Sequence, residues 1–539
     1  MKKNYFIYLI LGFAFALTVS SCTDKYAELN RNPNELTDED LDRDYLNSGI
    51  ARLPQMQTNI FPIGGGSNDY QRMQNLMGDI YAGYFGASAY FNPPTNGCTY
   101  FLVDDWNKVP FVVSFTRVMP AWRDIQLKSQ EKYPTIYAIA QILKVTSMHR
   151  ITDIYGPLPY LKFGHGGLST PYDSQQAIYQ SFFADLDDAV EMLEEQITIN
   201  PNYSIIENHD LIYRGNLNQW VKFANSLKLR LAMRLSYVDA TNAKKYAEEA
   251  ISSGKFITDN ADNAMLKSIP GIPIVHPLKM IWDNYGDTRM GANMESFLVG
   301  YNDPRLPKYF NRATYTGSNA REYMGIRTGI TMSSSAETTY ERFSTPNVVD
   351  DTPIQWLCAA EIYFLRAEGA IRGWNMGGTA QDLYNQGITA SFEQHAVSGS
   401  APAYVDNQTS QPAAYVDSYR ASNNVAAGNA NLSTITIKWV ESDNMERKLE
   451  RIITQKWLSM FPDGQEAWSE FRRTGYPKVF PVVVNNSGSE INTATQIRRI
   501  KYPLDETQSN GIEYEKVVNN PDMLNGPDTG GTKLWWDKK

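Results

Sequence analysis

The stretch Tyr133–Asp153, YPTIYAIAQILKVTSMHRITD, gives the clearest indication of the fold. Its apolar side chains recur every three or four residues, which places Ile136, Ala140 and Leu143 on one helical face. Further isoleucine and valine side chains widen that face. The pattern predicts an amphipathic α-helix whose broad apolar side packs against other helices.

The same periodicity recurs in pairs of neighbouring segments. The predicted helices are Ser174–Gln196, Asn216–Val238, Thr241–Ser253, Ile354–Trp374, Thr379–Gln394, Met445–Ser459 and Gln465–Arg473. Two consecutive helices occupy about 35 to 40 residues, a period typical of tetratricopeptide helix pairs. We therefore predict a mostly α fold, a tetratricopeptide-like helical-repeat scaffold of about four helix pairs with long irregular loops and a few short strands.

Long inserts rich in Gly, Pro, Asn, Tyr and Trp interrupt the predicted pairs. The pairs lie within about residues 43–255 and 354–475, and the aromatic-rich inserts lie at about 80–110, 256–353 and 398–436. Loops of this length inside one domain are usually functional or contain short elements of their own. We predict short strands at Thr434–Val440 and Lys478–Val484, and a single domain over residues 22–539.

The N-terminus has the pattern of a secretory leader. Lys2 and Lys3 precede the uncharged, mostly apolar run Tyr5–Leu17, which is too short to span a bilayer. The sequence Val19-Ser20-Ser21-Cys22 then resembles a bacterial lipobox. We therefore predict a signal peptide at residues 1–21 and lipidation of Cys22 by acyl chains such as palmitate, which would hold the protein at a membrane.

The composition excludes some classes of partner. The chain has 50 basic and 59 acidic residues, a net charge of −9, and an acidic surface argues against nucleic acid as a partner. Beyond Cys22, only Cys98 and Cys358 remain, too few for a disulfide framework. A single bridge and two free thiols both stay open, and we favour the free thiols.

Two inserts concentrate aromatic side chains among amides and acids. The first, Tyr81–Trp106, contains eight aromatic residues in 26 positions, and the second runs from Trp282 to Tyr315. Flat rings cover the apolar face of a sugar, and neighbouring polar groups satisfy its hydroxyls. Loop packing is the alternative explanation for each ring. The candidate ligand-binding residues are Tyr84, Tyr90, Phe91, Trp106, Asn107, Trp282, Tyr285 and Tyr301.

Catalysis and metal binding find little support in the sequence. There is no nucleophile elbow, no zinc-protease motif and no phosphate-binding glycine loop. The five histidines are scattered, and we expect His149, Glu361 and Glu368 to have structural roles on their helices. Asp283, Asp287 and Asp303 could together supply oxygen ligands to Ca²⁺, but their spacing matches no calcium loop. We favour solvated turn positions for these acids.

Several motifs together resemble one protein family. They are Ile151–Tyr160 (ITDIYGPLPY), Glu450–Trp457 (ERIITQKW), Glu466–Trp468 (EAW), Phe471–Pro477 (FRRTGYP), Arg498–Pro503 (RRIKYP) and Lys533–Asp537 (KLWWD). With the lipobox, they are similar to the SusD/RagB lipoproteins of Bacteroidetes over almost the whole chain after Cys22. We interpret Arg472 and Arg473 within these motifs as structural residues that pair with acids or cap carbonyls.

The resemblance implies a fold, a location and a partner. It implies four tetratricopeptide-like pairs, an outer-membrane lipoprotein facing outward, and glycan capture without hydrolysis. It also implies a TonB-dependent β-barrel transporter of the SusC type, which the lipoprotein covers as a lid. The candidate rings can be matched to the family's ligand region only loosely. Three alternatives stay open: peptide cargo in the same architecture, a secreted glycan hydrolase, and a scaffold that docks a protein without a ligand site.

Overall fold

A computed structural model of the chain describes residues 45–63, 67–89, 91, 96–167, 169–203 and 205–539. The predicted leader, Cys22 and Tyr90 lie outside the described residues. The first of two units, Met1–Ser48, contains the 3₁₀ turn Leu46–Ser48 in its described part. Everything below concerns the second unit, Gly49–Lys539.

Helices dominate this unit. They are α1 (Arg52–Ile60), α2 (Ser67–Tyr70), α3 (Asp104–Asn107), α4 (Val109–Val113), α5 (Met119–Ser129), α6 (Pro134–Tyr155), α7 (Gln175–Ile199), α8 (Leu217–Arg234), α9 (Ala240–Ser252), α10 (Pro277–Lys279), α11 (Ala292–Gly300), α12 (Leu306–Tyr309), α13 (Ser334–Tyr340), α14 (Ala359–Ile371), α15 (Ala380–Gln394), α16 (Ala401–Val405), α17 (Met445–Ser459), α18 (Gly464–Thr474), α19 (Leu504–Ser509) and α20 (Gly511–Val518). The π-helical segments Gln71–Asp79, Ser114–Val118 and Met280–Asn284 extend α2, α4 and α10. Single 3₁₀ turns lie at Gly97–Thr99, Glu207–His209, Asn260–Asp262, Ser398–Ser400 and Ala421–Asn423.

Within the described residues, four short strands form two antiparallel ribbons. β1 (Phe85–Ala87) pairs with β3 (Thr288–Met290), with Phe85 opposite Met290. β2 (Ala264–Leu266) pairs with β4 (Ile354–Leu357), with a register shift between Ala264 and Met265. Each ribbon joins parts of the chain that are remote in sequence.

The predicted helix pairs are confirmed. α6 packs against α7, α8 against α9, and α14 against α15, while α7 and α8 connect the first two pairs. Polar side chains fix several starts: Ser174, Asn216, Thr379 and Asn444 each accept a hydrogen bond from a backbone N–H of the first turn. The fourth pair differs, because α17 packs mainly on α14 while α18 packs against Gln71–Asp79.

Three local predictions were wrong. The helix expected from Ile354 begins only at Ala359, because Ile354–Leu357 pairs as β4 and is buried on both faces. A short, fully apolar run cannot be assigned to helix or strand from periodicity alone. The strands predicted at Thr434–Val440 and Lys478–Val484 are irregular chain instead. Val484 donates a backbone hydrogen bond of 2.9 Å to Gly329, but the pairing does not extend into a ladder.

A buried ionic network holds the helices together. Arg234 on α8 lies 3.2 Å from Asp153 on α6 and 2.6 Å from Glu466 on α18, and it also pairs with Glu470. Arg473 bridges Glu470 and Glu368 of α14, at 2.7 and 2.6 Å. Since the partners come from four helices, the network fixes the positions of those helices relative to one another.

The side chains that the sequence analysis expected to be structural form hydrogen bonds in and around this network. Glu361 accepts two hydrogen bonds from Arg230, of 2.8 and 2.6 Å, and Glu368 is held by Arg473, so both carboxylates are paired inside the scaffold. Arg472 donates to the backbone carbonyls of Asp153 and Arg498. The prediction that these side chains bond within the scaffold is confirmed.

His149 and the two thiols are also enclosed. His149 is buried, its Nδ1 lies 3.0 Å from the Val145 carbonyl, and burial together with the charge of Arg230 lowers its pKa to about 3. The ring is therefore neutral near pH 7. Cys98 and Cys358 are both buried and free, which answers the question left open by the sequence. In the part of the chain that is described, no helix is both long and apolar enough to cross a membrane.

The network predicts a loss of stability in acid. Burial raises the pKa of Glu466, but the charges of Arg234, Arg230 and Lys456 outweigh burial and lower it to about 2. A carboxyl whose pKa is lowered in the folded state stabilises the fold above its unfolded pKa of about 4.3, and this contribution is lost as the pH falls towards 2. We expect the urea midpoint to decrease between about pH 4.5 and 2.

The variant Glu466→Gln separates this carboxyl from the others. It is expected to be less stable than the wild type at pH 7, with a flatter pH profile below pH 4.5. Parallel profiles of the two proteins would contradict the assignment.

Candidate functional site

The ribbon of β1 and β3 brings the two aromatic inserts together. Beyond the paired Ala87 and Thr288, Ser88 donates its backbone N–H to the Asp287 carbonyl at 3.0 Å and its hydroxyl to Gly286 at 2.5 Å. Because the strands are antiparallel, the chain leaving β1 towards Phe91 and the chain entering β3 from Tyr285 lie at the same end of the ribbon.

The first half of the site is an aromatic pair. The rings of Phe91 and Trp106 meet edge to face, with centroids 5.7 Å apart and an interplanar angle of 86°. Both rings are partly exposed, and Trp106 lies on the short helix α3. Asn96 holds the Phe91 segment, since its Nδ2 donates to the Phe91 carbonyl at 2.8 Å and its Oδ1 accepts from the Cys98 N–H at 3.0 Å.

The second half consists of Trp282 and Tyr285 in the segment that follows α10. Trp282 is partly exposed, and its indole N–H donates to the Val348 carbonyl at 3.0 Å, so the plane of the ring is fixed. The Lys279 ammonium lies 4.8 Å from the centre of the same ring. Tyr285 is 42% exposed, the largest exposure among the candidate rings that the structure describes. We call Phe91, Trp106, Trp282 and Tyr285 the aromatic shelf.

Three of the predicted site residues do not belong to this shelf. Tyr84 and Tyr301 are buried, and their hydroxyls donate to the carbonyls of Trp457 and Ile435. Asn107 is 6% exposed, and its carbonyl accepts from the Tyr155 hydroxyl. Neither tyrosine presents a ring face to a ligand, so their assignment as platforms was wrong. Tyr84 and Tyr301 are packing residues, the alternative that the sequence left open.

Polar groups surround the shelf. Gln71 donates to Asp287 at 2.5 Å, and Arg289 donates to the carbonyls of Glu341, Trp282 and Thr288. The Asp283 side chain is exposed beside Lys279. Burial raises the pKa of Asp287 to about 6, while Gln71 opposes the rise. Amide and carboxyl groups of the kind that bind hydroxyls thus lie in or against the segment that contains Trp282 and Tyr285.

The raised pKa of Asp287 predicts a pH-dependent effect on stability. Its folded pKa is higher than its unfolded value, so its contribution is fully favourable below about pH 4 and is lost as the pH rises through about 6. We expect Asp287→Asn, measured by thermal unfolding, to match the wild type at pH 4. At pH 7 we expect it to be about 1 kcal/mol more stable, a value already reduced for solvent screening of a partly exposed group. A constant difference from pH 4 to 7 would contradict this cause.

The acids considered for calcium have separate partners. Asp303 is buried and binds Arg305 at 2.6 Å, Asp283 pairs with Lys279, and Asp287 accepts from Gln71. The hypothesis that they share one ion is wrong, and so is the solvated position expected for Asp303. Within the described ranges, no group of three His, Cys, Asp or Glu side chains could hold a metal.

A small pocket opens beside Phe91, and Phe91 is the one lining residue that was among the sequence candidates. Ala87, Ala89 and Phe91 line one side, and Arg327 and Ile330 line the other. Arg327 lies far along the second insert, and no local motif marks it. The pairing of β1 with β3, and the backbone hydrogen bond from Ile326 to Met290 beyond it, bring the two sides together.

The chain is similar over most of its length to proteins of one family. The family model described as SusD and RagB outer-membrane lipoprotein matches residues 28–537. A chitin-binding SusD homolog from Flavobacterium johnsoniae is 42% identical with a TM-score of 0.85, covering 92% of this chain and 99% of that one. SusD homologs from Bacteroides thetaiotaomicron and Bacteroides uniformis are each 36% identical, with TM-scores of 0.82 and 0.83, covering 91% of this chain and 99% of theirs.

No curated protein matches the chain significantly. The family match nevertheless agrees with the helix pairs and with the positions of the motifs: the Arg-Arg sequence of α18 and the segment that ends α6 meet in the buried ionic network. This protein therefore belongs to the SusD/RagB family of outer-membrane lipoproteins.

Proposed function

We propose that this protein is a non-catalytic, surface-exposed lipoprotein that binds a glycan and passes it to a TonB-dependent outer-membrane transporter. The observation that carries the proposal is the aromatic shelf, where partly exposed rings lie beside fixed amide and carboxyl groups. A sugar ring needs both, since its C–H face is apolar and its hydroxyls lose hydrogen bonds to water when they are buried. The chitin-binding relative supports oligosaccharides of that type as the first ligands to test.

The cargo can be tested by isothermal titration with chitin, cellulose and starch oligosaccharides and a set of short peptides. We expect heat of binding from at least one oligosaccharide and none from the peptides. Binding of peptides alone would favour the alternative in which the same architecture takes peptide cargo. The same titration with Tyr285→Ala tests the location of the site. This variant removes the most exposed ring of the shelf and should weaken the oligosaccharide signal.

The absence of hydrolysis can be tested with the same ligand. Incubation of the bound oligosaccharide should release no shorter product, because the carboxyls that the sequence singled out, Glu361 and Glu368, are held by Arg230 and Arg473. Release of product, and its loss when one carboxyl near the shelf is replaced, would favour the hydrolase alternative.

The predicted anchor has its own test. We expect Cys22→Ser to abolish labelling of the protein by radioactive palmitate and to shift it from the membrane fraction to the soluble fraction, because the thiol that receives the lipid would be gone and the remaining Cys98 and Cys358 are buried. Ser21→Ala, which keeps the thiol and a small neighbour, is the control and should remain in the membrane. Unchanged membrane association of Cys22→Ser would contradict lipid anchoring.

The transporter partner is tested by solubilising outer membranes in mild detergent and isolating the tagged lipoprotein. A β-barrel transporter in near-equal amount is the expected result. Recovery of the lipoprotein alone would contradict transfer to a transporter, while the binding of glycan would still be measured independently.

A further inference from the structure

The pocket beside Phe91 shares that ring with the aromatic shelf, and we call it the side pocket. It is lined by Ala87, Ala89, Phe91, Arg327, Ile330 and Met332, together with the turn that contains Cys98. Its free volume is about 30 Å³. Roughly 10 to 15 Å³ on this scale accommodates one water molecule, so the pocket admits a group of a few atoms but not a sugar ring.

The walls of the side pocket are held in place by backbone contacts. Gly329 has a φ of +70°, and a Cβ at this position would lie only 2.7 Å from the Val482 Cβ and 3.0 Å from the Cys98 carbonyl oxygen. Glycine therefore allows the two chains to approach. Backbone N–H groups of Val483 and Val484 then donate to Thr328 and Gly329, at 3.2 and 2.9 Å. A pocket fixed in this way need not be ordered by its ligand.

The side pocket combines apolar walls with one cation. Ala87, Ala89, Ile330 and Met332 provide the apolar part. Arg327 donates from Nη1 to the Asn423 carbonyl and from Nη2 to the Pro481 carbonyl, each at 3.1 Å. Its Nε is buried and has no hydrogen-bond partner in the part of the chain that is described. A buried donor without an acceptor is costly, so a ligand oxygen at this position would be favoured.

We infer that the side pocket recognises the acetamido group of an N-acetylated sugar bound on the aromatic shelf. The methyl group occupies the apolar part, and the carbonyl oxygen accepts a hydrogen bond from Arg327. The inference rests on the proposed function, because it needs a sugar on the shelf, and it defines the class of sugar as N-acetylhexosamine. The chitin-binding relative is consistent with this class.

Other substituents at the same sugar position fit less well. A hydroxyl leaves the apolar walls uncovered, and a protonated amine is repelled by Arg327. A carboxylate would pair with Arg327 but would not fill the space between the alanines. An acetamido group is the substituent that satisfies both halves of the pocket.

The test compares three β-1,4-linked hexasaccharides at pH 6 by isothermal titration: N-acetylglucosamine, glucosamine and glucose. We expect the acetylated ligand to bind at least about tenfold more tightly than either of the others, since a lost methyl group alone weakens recognition by roughly tenfold or more. Equal affinities for the acetylated and glucose ligands would overturn the inference and leave the proposed function standing. If the protein bound peptides but none of the three hexasaccharides, both the inference and the proposed function would be overturned.

Two variants assign the selectivity to the side pocket. Ala87→Leu fills the pocket and should reduce the preference for the acetylated ligand to less than about threefold while glucose hexasaccharide still binds. Ala240→Leu makes the same change at an exposed position on α9 and should leave the preference intact. Arg327→Lys keeps the charge but removes the Nε donor, and should weaken acetylated binding more than glucose binding. An unchanged preference in Ala87→Leu, with its thermal midpoint preserved, would overturn the inference.

Discussion

Replacing Trp106 by alanine is expected to weaken oligosaccharide binding by about 30-fold, which corresponds to about 2 kcal/mol. The Trp106 ring belongs to the shelf and meets the Phe91 ring edge to face, with ring centroids 5.7 Å apart. A sugar would cover the part of the Trp106 ring that is still exposed. The alanine variant loses the apolar contact between Trp106 and the sugar, and it also removes the ring that packs against Phe91. The measurement is titration of the variant with the tightest-binding oligosaccharide.

The folded state should tolerate this substitution. Trp106 is partly exposed on a four-residue helix, so its removal takes little surface out of the core. Trp374 is a matched control, because it is also partly exposed but lies in the connection between α14 and α15. Trp374→Ala should bind like the wild type. Equal affinities of wild type and Trp106→Ala would contradict the location of the site, and the scaffold alternative would then gain support.

Replacing Arg234 by methionine is expected to lower the free energy of unfolding by about 3 to 5 kcal/mol. Arg234 is fully buried, and its removal leaves the charges of Asp153, Glu466 and Glu470 with fewer partners. The cost comes mainly from these unpaired buried carboxylates, because methionine itself packs well. Urea unfolding followed by circular dichroism measures it, with the transition checked at a second wavelength for two-state behaviour.

Arg312→Met is the control for the loss of an ion pair as such. Arg312 and Glu322 form a pair of 2.8 Å, but their side chains are 76% and 53% exposed. Exposed pairs contribute little, so this variant should differ from the wild type by about 0.5 kcal/mol or less. Similar effects of the two variants would show that the buried network is not what stabilises the scaffold.

The helical scaffold could be predicted because its signal is local. The recurrence of apolar residues every three or four positions in Tyr133–Asp153 gives α6 to within two residues at its C-terminal end, and Ser174 and Asn216 mark the starts of α7 and α8. β4 could not be predicted in the same way. Ile354–Leu357 is a strand because Ala264–Leu266 offers it hydrogen bonds, and that partner lies far away in sequence.

The site was predicted only in part for the same reason. Tyr84 and Phe91 belong to one aromatic-rich segment, and composition treats them alike. The tertiary structure separates them, since the Tyr84 hydroxyl reaches a carbonyl of α17 whereas Phe91 lies beyond the end of β1. No motif in the sequence marks Arg327, because its interest comes from the side pocket that it lines with residues remote in sequence.

By itself, the sequence determined the class of fold, the family and the segments that contain the candidate rings, since these depend on periodicity, motifs and composition along the chain. The tertiary structure alone decided which of those rings remain open to solvent and which charges are paired in the interior. Exposure and pairing depend on residues that meet across the fold, and that proximity is not contained in any single stretch of the chain.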